Sequence, residues 1–193
     1  MREYKEEVEV KGIAKVEVDV KAATDLPKGY LRIAERYRNK AEEAKNKAIN
    51  TKHSDERGDF ISEERECSLF AILFSFLALE AYINGFGFNK LQESEFTIIK
   101  RANVETKWLL LPKIVTDESF DPEDELFKDF LKIKDYRNYI VHYKSFKPQE
   151  MVRHPSGVDI APIYRIINSD NATLAYTTAK KMIERLEKFQ EEK

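Results

Sequence analysis

From Pro27 to Asn50 the apolar residues Tyr30, Ile33, Ala34, Tyr37, Ala41, Ala44 and Ala48 recur while Arg, Lys and Glu fill the positions between them. That is the spacing of a long amphipathic helix. The polar run TKHSDERGD, Thr51 to Asp59, is expected to break it, with His53 in the loop. Ser62 with Glu63 and Glu64 offers a hydroxyl cap and acids at the positive end of a second helix. This helix is predicted to run through LFAILFSFLALEAYI, Leu69 to Ile83, and to stop where Gly85 and Gly87 follow Asn84. A shorter amphipathic piece covers Leu91 to Leu111, closed by Pro112. Asp121-Pro122-Glu123 then supplies a cap, a first-turn proline and an acid for a helix reaching Tyr143. The last helix, from Asn171 onward, gathers Ala175, Ala179, Met182, Ile183, Leu186 and Phe189 on one side.

Two segments break the helical period. Val8 and Val10 before Lys11-Gly12, and Val16, Val18 and Val20 after it, alternate as a β-hairpin does. A lone hairpin is marginal in water, so it needs another surface or strand. Val158 to Ile167 could supply that strand, although Pro162 confines it to an edge or breaks it. The fold class that follows is all-α: an antiparallel bundle of four to five helices with the hairpin, residues 1–25, appended to one domain spanning 1–193.

Composition adds limits. With 42% hydrophobic and 35% charged residues the chain is expected to be a soluble globular protein with a heavily charged surface. MREYKEEVEV places charges where a signal peptide needs an apolar run. The Leu69–Ile83 stretch is short for a membrane span and contains Glu80, and the lone Cys67 can form no internal disulfide. A cytoplasmic protein with no membrane partner is expected. The formal charge is −2, but unevenly spread: Thr116 to Glu125 holds six carboxylates and no base, whereas Lys128 to Arg153 holds seven bases against three acids. GFGFNK follows a helix and lacks the strand and the Lys-Ser/Thr of a phosphate loop. The histidines are scattered and no cysteine pair exists, so neither metal nor cofactor is expected.

One stretch violates the core pattern. In KDYRNYIVHY the inward positions step through Leu126, Phe130 and Ile133 to Arg137 and then Ile140, so a guanidinium occupies an apolar slot. It needs a partner or a cleft open to solvent. Glu80, alone among the charges between Leu69 and Ile83, is the expected partner. Asn138 and His142, four apart, share a face on which the amide could orient the imidazole. Arg137 and His142 lie about 140° apart around the axis, so only the length of arginine lets both reach one ligand.

The run Arg137-Asn138-Tyr139-Ile140-Val141-His142 resembles the R-polar-x-x-x-H signature of HEPN-domain proteins. FLALEAYIN, Phe76 to Asn84, resembles the very apolar helix with an embedded acid that commonly precedes it. The likeness spans the helical body, about residues 27 to 190, but only the six-residue motif is specific. It implies a metal-independent endoribonuclease, often a toxin or defence protein, that cuts RNA by attack of a ribose 2′-hydroxyl. Its site is implied to form where two protomers meet, with Arg137 and His142 catalytic and Asn138, Glu80 and Tyr143 supporting. An antitoxin or regulatory protein is a further implied partner. The chain departs from members modified on a tyrosine two residues past the histidine: Tyr143 follows His142 directly and Lys144 occupies that position. Two other readings stay open, a non-catalytic module that binds nucleic acid or a partner, and a plain helical scaffold.

Overall fold

The computed structural model describes residues 26–142, 152–153 and 159–191, and the expected N-terminal hairpin lies outside them. Six α-helices carry the described chain: α1 (Leu26–Asn50), α2 (Ser54–Lys90), α3 (Glu93–Ile99), α4 (Val104–Thr116), α5 (Glu125–Val141) and α6 (Ser169–Glu191). The helical bundle foreseen in the sequence is the fold of this part. α2 runs through its middle, with α1 antiparallel along one side, as the ring pairs Tyr30–Phe74 and Tyr37–Phe70 register. α6 runs against α1 and α5, fixed by Lys45–Asp170 and by Tyr136 Oη donating to Asn171.

The two amphipathic flanking helices bury the faces their periodicity sets aside. α1 presents Ala34, Ala41, Ala44 and Ala48, and these small side chains let its backbone come close to α2. α6 buries Ala172, Ala175, Ala179, Met182, Ile183 and Leu186. The core closes on a cluster of aromatic rings, in which Trp108 meets Phe120 edge-on at 5.5 Å and Phe120 meets Phe189 at 5.4 Å.

Three expected breaks fall elsewhere. α2 starts at Ser54, eight residues before the Ser62 expected as its cap, and Ser62 Oγ donates back to the Gly58 carbonyl from inside the helix. It also runs through Gly85 and Gly87, because Gly87 is a packing contact: a Cβ there would stand 3.0 and 3.2 Å from the two methyls of Leu111. At 37 residues α2 is long and apolar enough to cross a bilayer by length and composition. Of its most apolar window 44% is buried in the bundle, and core helices meet the same criteria.

The predicted piece from Leu91 to Leu111 is two helices, divided where the Asn103 side chain accepts from Thr106 N at 2.7 Å and starts α4. Pro112 sits inside α4 and is buried, and the helix ends instead at Asp117, in the left-handed region at φ 64°. The cap of α5 is Asp124, whose carboxylate accepts from Leu126 N, whereas Asp121 folds a turn by accepting from Glu123 N. The β-branched segment yields a two-residue antiparallel pairing of β1 (Val152–Arg153) with β2 (Asp159–Ile160). Pro162 breaks it by opening a short 3₁₀ turn, Pro162–Arg165.

Candidate functional site

Arg137 occupies the last turns of α5, half-buried. Its guanidinium stands over the ring of Phe76 on α2, 5.4 Å from the centroid. This answers how a cation fits an apolar slot: the ring face offers negative quadrupole potential in place of a counter-charge. Nη1 donates to the Oδ1 of Asn138 at 3.1 Å. Among the described residues no ion pair joins Arg137 to a carboxylate.

Glu80, expected beside Arg137, forms no direct ion pair with it. The cation that feels its charge is Lys107 on α4, where Glu80 opposes the larger effect of burial, which holds the ammonium below its usual value. Lys107 is only 8% exposed and donates from Nζ to the Oδ1 of Asn84 at 2.8 Å. Lys107 itself carried a signal, a lysine in front of the apolar run Trp108-Leu109-Leu110-Leu111, that was passed over.

Asn138 serves the arginine rather than the histidine. Its bond to His142 is through the backbone, His142 N donating to Asn138 O at 2.9 Å. His142 is the residue that closes α5, at φ −103° and ψ 20°, and is exposed. Tyr143 lies outside the described residues. The site as described is therefore a helix end: a guanidinium on a ring, steadied by an amide, with an accessible imidazole five residues on. A guanidinium has five N–H donors and Asn138 takes one, which suits an incoming oxyanion.

Neighbouring groups divide between structure and surface. Tyr136 packs on the core and bonds Asn171, so it finishes the bundle. Tyr139 and Val141 turn outward, 39% and 52% exposed. Lys134 and Lys128 are paired, with Glu105 at 2.6 Å and Glu123 at 3.2 Å. Cys67 is buried, and burial pushes its thiol up, with Glu63 adding to the effect, which makes it a poor nucleophile. Among the described residues no group of three or more His, Cys, Asp or Glu is placed to hold a metal ion. Comparison with protein-family models, with curated proteins and with solved structures gave no match for this chain.

Proposed function

We propose that this protein is a metal-independent endoribonuclease of HEPN type, a cytoplasmic homodimer with Arg137 and His142 of each copy lining a shared cleft. The observation that carries the reading is the placement of Arg137, a half-buried cation held on Phe76 and Asn138 with no acid to neutralise it among the described residues. Such a guanidinium is poised for phosphate. In the reaction the ribose 2′-oxygen attacks the adjacent phosphorus, its proton passes to a neutral imidazole, and the bond to the 5′-oxygen breaks. The departing 5′-oxygen takes a proton from the imidazolium so formed, leaving a 2′,3′-cyclic phosphate and a 5′-hydroxyl. Arg137 stabilises the charge on the non-bridging oxygens.

The test is cleavage of RNA by purified protein in EDTA, with the ends identified by mass spectrometry. Cyclic phosphate ends support the reading, and intact RNA or 5′-phosphate ends overturn it. The exposed position of His142 at the helix end favours one second reading: a module that grips phosphate through Arg137 without cutting. Binding without cleavage would select it.

A further inference from the structure

Two arginines of the bundle lie over buried phenylalanine rings, and their second partners differ in charge. Arg185 stands 5.9 Å from the centroid of Phe120 and Arg137 stands 5.4 Å from that of Phe76. Both lie inside the reach of about 6 Å at which a ring face attracts a cation. Each ring is 2% exposed, whereas the rings under the other described cations, Tyr37, Phe60, Tyr136, Tyr164 and Tyr176, are half-buried or exposed. Burial strengthens the contact, because no water competes for the cation on that side. Arg185 also bonds the carboxylate of Asp124, so an acid meets its charge and it ties α6 to the start of α5. The second partner of Arg137 is neutral, the Asn138 amide at 3.1 Å.

The two supports of Arg137 act differently. Asn138 is the next residue on the same helix, so its amide orients the guanidinium without fixing it to another element. Phe76 belongs to α2 and to the main core, which it shares with Ile72, Leu79 and Met182. It is the contact that ties the guanidinium to the rest of the bundle. A carboxylate in its place would also hold the arginine, but its negative charge would weaken the attraction of Arg137 for an incoming oxyanion. A ring face holds a cation through its quadrupole and leaves the net charge of the pair at +1. Fixed position and full charge are the two properties that a phosphate site asks of an arginine.

We infer that Phe76 is a positioning residue for Arg137: the negative face of its ring, beyond its bulk, holds the guanidinium where it meets a phosphate oxyanion. The choice of a phosphodiester strand as ligand rests on the proposed activity. The contact between ring and guanidinium does not.

Fluorine withdraws electrons from a ring face in steps while changing its size little. Phe76 is therefore replaced in the full-length protein by its mono-, di- and trifluorinated analogues, each made with Arg137 and again in R137M. Methionine keeps a long flexible side chain in the slot without the charge. The readouts are melting temperature and affinity, by fluorescence anisotropy, for an oligomer of 2′-O-methyl uridine, which 2′-hydroxyl attack cannot cut. With Arg137 present both should fall with each added fluorine, the affinity by about threefold or more at the trifluorinated ring. In R137M neither should follow the number of fluorines. A ring that acts by bulk alone would give parallel trends in the two backgrounds, which overturns the inference. So does an affinity indifferent to fluorine while the melting temperature follows it, because Phe76 would then steady the fold only. A wild-type protein that does not bind the oligomer overturns it as well. The proposed activity fails separately: fluorine-dependent binding by a protein that cuts no RNA in EDTA keeps the role of Phe76 and removes the ribonuclease. Cleavage of RNA by a protein whose binding ignores fluorine does the reverse.

Discussion

At the scale of single residues, the chain keeps its two chemically suggestive groups apart in character. Arg137 is fixed by Phe76 and Asn138, whereas His142 is exposed at the end of α5. R137A and H142A are each expected to reduce RNA cleavage by about 10²-fold or more with an unchanged circular dichroism spectrum, since each removes one charge-stabilising or proton-transferring group. Wild-type rates in both variants would exclude the site. N138A should be milder, acting through the aim of Arg137. Arginine in an apolar register was legible in the sequence because it broke a period. Its support was not, because a ring face leaves no mark in a pattern of charges, whereas Glu80 stands out as a lone acid in an apolar run. That acid instead holds up the charge of Lys107, which burial disfavours. The folded value of Lys107 lies below the unfolded one, so the folded state carries a penalty at neutral pH that is relieved as pH rises toward about 10.5. E80Q removes the acid that opposes this penalty. Its loss in melting temperature should be largest near pH 7 and shrink toward pH 10, and a loss independent of pH would contradict the pairing.

At the scale of elements, the helices were legible and their ends were not. Periodicity located α1 and α6 to within two residues, because each has one wet face. Local propensity makes Gly85, Gly87 and Pro112 stops, and at the buried Gly87 and Pro112 tertiary packing overrides it. The two glycines make this testable. Nothing lies within 4 Å of a Cβ placed on Gly85, so G85A should stabilise the protein by about 0.5–1 kcal/mol through helix propensity alone. At Gly87 the same gain meets Leu111 at 3.0 Å, and overpacking costs about 1–3 kcal/mol. Thermal melts of the two variants should therefore move in opposite directions, and a matching rise in both would refute the packing role of Gly87. The division between α3 and α4 was missed because it depends on one side chain. N103A should cost about 1 kcal/mol by removing the cap of α4.

At the scale of the whole molecule, the bundle buries its rings and leaves an aromatic and an aliphatic side chain outward beside the motif. Tyr136 belongs to the core, so the outward apolar surface beside the motif is, among the described residues, Tyr139 and Val141, 39% and 52% exposed. They lie between Arg137 and His142 in the last turns of α5, and a two-fold contact there would meet itself with the same residues. Arg137 and His142 point about 140° apart on one helix, so a second copy offers the simpler way to complete a cleft. Sedimentation at micromolar concentration should give twice 22.6 kDa, and a monomer that still cuts RNA would refute the shared site. Y139A/V141A should weaken association while leaving the fold intact. The decisive measurement mixes two dead proteins. In a heterodimer of R137A with H142A, one cleft keeps an arginine from one copy and a histidine from the other. Partial recovery of cleavage on mixing is expected if the site is shared, and no recovery after verified subunit exchange would place each site within a single protomer.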